Sequence, residues 1–166
     1  MSLKVRSIRR EDAEAIIHWR YEPPYDVYNA EGDPEARREL LGGAYRAVET
    51  EHGELVGFFC LGPNAQVDGA RTRGLYADRG FVDLGLGMRP DQTGQGLGAA
   101  FVETCLAWGR EQLHPQGFRL SVAAFNARAI AVYTRVGFEK VASCVSDTPQ
   151  GRFDFEIMVR REAGRR

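Results

Sequence analysis

The sequence predicts an α/β fold: a twisted mixed sheet of about seven strands flanked by about four helices, in one domain spanning residues 1–166. Three observations predict it. The length of 166 residues suits one domain. Short apolar runs and stretches of helical spacing follow one another in the order βααβββ, βαβα, ββ, the pattern of helices covering a mixed sheet. No repeat, low-complexity tract or linker divides the chain. With 43% hydrophobic and 10% aromatic residues, a core forms without disulfides or metal.

Residues 3–9, with Leu3, Val5 and Ile8, read as the first strand. Glu11 and Asp12 open a helix, where acidic side chains suit the positive end of the dipole. Ala13, Ile16 and Ile17 carry its apolar spacing, and Pro23-Pro24 stops it. Asp33-Pro34 caps and starts a second helix toward residue 47. Residues 45–50 and 55–61 form two strands around His52-Gly53, and residues 62–80 read as a long loop.

Phe81–Met88 is a strand in which Gly85 and Gly87 alternate with Leu84, Leu86 and Met88. A helix over about 97–113 follows, with Leu97, Phe101, Cys105 and Trp108 at spacings of three and four. Residues 118–124 make a strand, and Asn126 caps a helix that Gly137 ends. Residues 138–145 and 153–158 pair across the turn near Gly151. The arginine-rich tail from Arg160 is expected to be a solvated end.

A formal net charge of −1, from 22 basic and 23 acidic residues, argues against nucleic acid or an anionic membrane surface as the main partner. Cys60, Cys105 and Cys144 are odd in number, far apart and without zinc-ligand spacing. Buried free thiols in a reducing compartment are expected, and no metal. The sequence has no apolar run of about 20 residues and no signal-peptide core, so a cytoplasmic location is expected.

The most informative stretch is Met88-Arg89-Pro90-Asp91-Gln92-Thr93-Gly94-Gln95-Gly96-Leu97-Gly98-Ala99. Alternating glycines at a strand-to-helix junction allow a tight turn and close backbone approach, and the helix start offers unpaired N–H groups to a pyrophosphate. Gly94-x-Gly96-x-x-Ala99 formally fits the dinucleotide fingerprint. However, Pro90 intervenes after the strand, and the next strand ends in Ala123-Ala124-Phe125-Asn126 without an acid. No Gly-Lys-Ser/Thr follows, so a nucleotide P-loop fails too. A glycine loop with packing duties alone is the competing reading.

Thr93-Gly94-Gln95-Gly96-Leu97-Gly98 resembles the acetyl-CoA motif of the GNAT superfamily of N-acetyltransferases, Gln/Arg-x-x-Gly-x-Gly/Ala, with Thr93 departing from the usual first residue. The stretch from Asn126 to Phe138 resembles that family's Asn-x-x-Ala-x-x-x-Tyr-x-x-x-Gly-Phe. Asn126 and Tyr133 then share a helix face about 10 Å apart. The motif match is specific from about residue 81 to 138, and element order matches throughout.

The resemblance implies a single GNAT domain that moves an acetyl group from acetyl-CoA to an amine by direct attack. It implies that Gly87, Met88, Thr93, Gly94, Gln95, Gly96, Leu97, Gly98 and Asn126 hold acetyl-CoA, largely through backbone N–H groups that Thr93 also supplies. Gly85 and Gly87 would bring backbone to the thioester, since glycine inside a strand often marks close approach, and Tyr133 would act as general acid. Asp83, on the face of Gly85 and Gly87, is the first candidate for general base, with Glu156 and Glu22 as alternatives. Tyr21, Glu22, Tyr25 and Tyr28 would line the acceptor pocket, their rings suiting a cation. Local packing duties compete for each of these residues, with Asn126 as a helix cap, Tyr133 as a core aromatic and the tyrosines as staples of a Pro-rich loop. Arg128 and Arg135 either meet CoA phosphates or lie on a solvated face.

The acceptor is an amine-bearing small molecule or a protein N-terminus or lysine, and family members often form homodimers. An acyl-CoA-binding sensor or partner-binding module without turnover is the alternative from another class.

Overall fold

The computed structural model describes residues 2–94 and 96–163. Seven strands form one sheet in the order β1-β2-β3-β4-β5-β7-β6. Chain order runs β1 (Leu3–Ser7), α1 (Arg10–Ile16), α2 (Pro34–Leu40), β2 (Tyr45–Thr50), β3 (Leu55–Leu61), α3 (Asp68–Thr72) and β4 (Phe81–Met88). It continues through α4 (Gly98–Leu113), β5 (Gly117–Ala123), α5 (Ala127–Arg135), β6 (Glu139–Thr148) and β7 (Gly151–Arg161). Only β4 and β5 pair in parallel, because α4 carries the chain back across the sheet between them. The α/β class and the seven-stranded mixed sheet are those expected from the sequence.

The helices divide between the two faces of the sheet. On one face α4 buries Phe101, Val102, Cys105 and Leu106 against Phe59, Leu84, Phe118 and Leu120, and α5 packs Tyr133 beside them. On the other face Ala13, Ile16, Ile17 and Leu40 of the α1–α2 segment gather Trp19, Tyr45 and Phe58. Period-two alternation explains how one strand serves both: Phe59 faces α4, whereas Phe58 faces α1 and α2.

Four local expectations are corrected. Helix α1 ends at Ile16, well before Pro23-Pro24, and residues 25–28 form a 3-10 turn in a strap that leads to α2. Helix α2 stops at Leu40, with Gly43 at φ +98° just beyond it. The expected loop at 62–80 contains α3, whose Ala70 is fully buried with Cys144 and Ile157. A Cβ on Gly69 would lie 2.0 Å from the Val145 carbonyl oxygen, so only glycine lets α3 rest on β6. Finally, Arg160 and Arg161 belong to β7: Arg160 pairs with Glu103 at 2.9 Å, and Arg161 lies over the Phe81 ring.

Candidate active site

Strands β4 and β5 pair from Phe81–Gly117 to Leu84–Leu120 and then part. Beyond that point β4 continues against β3 as far as Met88, and β5 against β7 as far as Ala123. Their facing edges therefore carry backbone N–H and C=O groups without a strand partner, and such groups need one. A cleft of about 570 Å³ opens there, with Gly85, Gly87 and Met88 on one wall and Ser121, Val122 and Ala123 on the other. An extended arm can enter it as an added strand.

Gly87 is bare because Phe58 occupies its side-chain space: a Cβ there would meet the ring at 2.5 Å. The approach to β4 from this face thus comes from Phe58 at Gly87, and from Ala65 and Cys60 at Gly85, each 3.2 Å from an added Cβ.

The glycine turn leads from β4 to α4. Pro90–Gln92 makes a 3-10 turn, and Thr93 folds back on it, its hydroxyl donating to the Pro90 carbonyl at 2.6 Å and its N–H at 3.3 Å. The Thr93 N–H is therefore engaged within the turn, whereas the sequence reading offers it to a phosphate. Gly94 and Gly96 sit at φ +74° and +79° with open space around them, so their requirement is conformational. No described side chain caps α4, and Leu97 stands at its N-cap, which leaves first-turn N–H groups without intrahelical partners. Gly98 serves packing, since a Cβ there would lie 3.0 Å from Val132 of α5. Gln95 lies outside the described residues.

Asn126 spends its amide locally. Its Oδ1 accepts the Ala129 N–H at 3.1 Å, capping α5, and its Nδ2 donates to the Tyr28 hydroxyl at 3.2 Å. About two turns along the helix, Tyr133 is buried, stands edge-on to Phe138 with centroids 6.0 Å apart, and lines the cleft. Among the described residues its hydroxyl has no hydrogen-bond partner. Burial pushes its pKa well above the ordinary tyrosine value, so it stands protonated as a donor facing the cleft.

Tyr21, Tyr25 and Tyr28 all reach the cleft from the strap. The Tyr21 hydroxyl donates to the Met88 carbonyl at 2.5 Å, and Tyr28 stacks on Phe125 at 6.0 Å. Arg128 lies 4.2 Å from the centroid of the Tyr25 ring. Through Tyr21 and Tyr28 the strap bridges the end of β4 and the cap of α5. Arg128 and Arg135 also line the cleft.

The proposed bases are placed elsewhere. Asp83 is buried, with Arg119 Nε at 2.6 Å and Nη2 at 3.0 Å on its two oxygens, and Gln66 Nε2 at 2.9 Å as well. It shares the face of Gly85 and Gly87, but its lone pairs are spent in a buried ion pair and it does not line the cleft. Glu156 pairs with Lys140 at 3.2 Å outside the cleft, and Glu22 is exposed and does not line it. The carboxylate that does line the cleft, among the described residues, is Glu39 of α2. Sequence reasoning missed it because an exposed glutamate beside the buried Leu40 looks like any solvated helix position.

Among the described residues no three metal-ligating side chains gather, and no helix is long and apolar enough to cross a membrane. A family model described as the acetyltransferase (GNAT) family matches residues 13–138. The sequence matches none of the curated proteins compared with it. Among solved structures, the fold is similar to an aminoglycoside acetyltransferase, AAC(6')-Ib, in complex with ribostamycin and coenzyme A: TM-score 0.73, 18% identity, covering 98% of this chain and 94% of that one. It is similar to a putative phosphinothricin N-acetyltransferase at TM-score 0.70 and 17% identity, covering 98% and 99%. A spermidine N-acetyltransferase SpeG chimera from Vibrio cholerae and hSSAT gives TM-score 0.65 and 19% identity, covering 96% and 95%.

Proposed function

The chain belongs to the GNAT acetyltransferase family, and on that footing we propose that it transfers the acetyl group of acetyl-CoA to the nitrogen of an amine in the cleft between β4 and β5. The observation that carries this reading is the parting of β4 and β5 after Leu84 and Leu120 beside the Tyr133 hydroxyl, which no described residue hydrogen-bonds. The residues present fit acetyl-CoA. The open strand edges suit an amide-bearing arm, and the positive-φ turn at Gly94 and Gly96, with the uncapped start of α4, suits a pyrophosphate. Acetyl-CoA supplies an activated thioester.

The chain's part in the chemistry is alignment and charge placement. Holding amine and thioester together is worth several kcal/mol by itself, up to roughly 7–11. The amine lone pair forms the new N–C bond as the C–S bond breaks, and the nitrogen sheds a proton to solvent or a carboxylate. The edge N–H groups of β4 would hydrogen-bond the carbonyl oxygen as it gains charge. Tyr133 donates to the departing sulfur. Full proton transfer is uphill, since a thiol titrates near 8.5 and burial raises Tyr133 above its ordinary value near 10. Hydrogen-bond donation that disperses charge on sulfur is therefore its role.

Thiol release from acetyl-CoA, followed with and without added amines, tests this reading. Amine-dependent release with an acetylated product supports it. Saturable binding of acetyl-CoA with no release for any amine would make the chain a binding module.

A further inference from the structure

We propose that the acceptor is an amine with one positive charge and an apolar, preferably aromatic, body, and that Glu39 binds its ammonium group on entry, before the nitrogen gives up a proton to solvent and attacks the thioester. The inference rests on the acetyl-transfer reading above and names the substrate class of that same site.

The cleft continues through the splay onto the face of α1 and α2. There its walls are Trp19, Tyr45, Phe58, Ile17 and Leu40, beside Gly85 and Gly87 of β4. Trp19 and Tyr45 flank Phe58 at centroid distances of 5.9 and 6.1 Å. Such rings accept an apolar or aromatic body.

Glu39 is anchored to this chamber by two routes. The Tyr45 hydroxyl donates to Glu39 Oε1 at 2.8 Å, and Tyr45 lies in register with Cys60, which lies in register with Gly85. Asn64 Nδ2 donates to the same oxygen at 3.3 Å, and the next residue, Ala65, packs over Gly85. Both donors engage Oε1, whereas Oε2 takes no hydrogen bond from a described residue. One oxygen therefore fixes the carboxylate and the other is available to an N–H donor. Ammonium groups bind such a carboxylate through charge-assisted hydrogen bonds.

The rest of the lining sets the body of the acceptor. Among the described residues Glu39 is the sole acidic side chain on the cleft wall, and the cleft's arginines, Arg128 and Arg135, are on α5 at the other face of the sheet. A polyamine would leave its second ammonium among Trp19, Phe58 and Leu40 without a counter-charge, which burial penalises. An amino acid would set its carboxylate beside Glu39. A single ammonium on an aromatic or aliphatic body satisfies both the carboxylate and the rings.

The test uses the full chain with acetyl-CoA and three acceptors: 2-phenylethylamine, L-phenylalanine and spermidine. Acetyl-CoA binding is measured separately by calorimetry. Expected is a kcat/KM for 2-phenylethylamine about 100-fold or more above the other two, from one missing ion pair or one repulsive carboxylate. Glu39→Gln should raise the KM for 2-phenylethylamine about 10–100-fold and leave acetyl-CoA affinity unchanged. Bound acetyl-CoA with spermidine or phenylalanine preferred, with no acceptor turned over, or with Glu39→Gln kinetically silent overturns the acceptor class and leaves the cofactor site standing. Failure of acetyl-CoA to bind overturns the transfer reading itself.

Discussion

Asp83 and Arg119 face each other across the parallel β4–β5 pair, one register position before the strands part at Leu84 and Leu120. Both are buried, and Arg119 also donates to the Asp78 carbonyl at 3.1 Å and the Tyr76 carbonyl at 3.3 Å. The pair thus joins the two strands just before they part and fastens the loop after α3. Removing one partner leaves the other charge buried and uncompensated, at a cost of about 3–5 kcal/mol. Asp83→Asn and Arg119→Met should each lower the unfolding free energy obtained from urea titration by that order, and the double variant should cost clearly less than their sum. A pH–rate profile for Asp83→Asn that keeps its shape separates this structural role from base catalysis. Loss of the acidic limb alone, with stability intact, would restore Asp83 as the base.

Tyr133→Phe removes a hydroxyl that holds no described residue, so folding stability should change by less than about 0.5 kcal/mol. Turnover should fall about 10²-fold or more, the usual worth of a positioned proton donor, with little change in acetyl-CoA affinity. Initial-rate thiol release and calorimetry on the same preparation check both halves. Unchanged kcat would remove Tyr133 from the chemistry.

The three thiols are silent in the native protein. Burial pushes Cys60 up to about 11, lifts Cys105 well above the ordinary thiol value and raises Cys144. At pH 8 an aromatic disulfide reagent should react slowly with the folded chain and fully with all three cysteines in denaturant. The protein's own thiols then add little background to a thiol-release assay. A fast native phase would contradict the burial of these side chains.

Acid sensitivity should begin at Asp12. Burial alone pushes its carboxyl up, but Arg6, at 2.6 and 3.0 Å, and the Arg9 N–H, at 2.7 Å, outweigh this and hold it below its ordinary value of 3.8. A depressed acid contributes stability that is present above its unfolded value and is lost as pH falls through the folded one. Asp12→Asn should therefore destabilise the protein at pH 7 by about 1–3 kcal/mol, and the gap should close as pH falls below 3.8 through the lowered folded value. Thermal melts across this range would show it; a gap that persists at acid pH would contradict the assignment.

The strands and the glycine turn were legible because alternation, glycine and proline are local signals. Phe81–Met88 and the start of α4 follow from them directly. The phase of Asp83 was legible too, since it shares a face with Gly85 and Gly87, but its partner Arg119 comes from a parallel register that no local pattern encodes. Asn126 shows the same limit: its spacing from Tyr133 was readable, whereas the donation of its amide to Tyr28 depends on where the strap lands. Glu39 was invisible for a related reason, because Tyr45 and Asn64 orient it only once α2 is docked. Helix α3 is too short to show a period and exists by resting Gly69 on β6.

Calorimetric titration with acetyl-CoA, with NAD as the control ligand, tests the cleft between β4 and β5 most directly. The account predicts saturable binding of acetyl-CoA and none of NAD, with affinity weakened about tenfold or more by Gly96→Val, which forces a β-branched residue to φ +79°. No binding of acetyl-CoA at about millimolar concentration, a free energy weaker than about −4 kcal/mol, would contradict it.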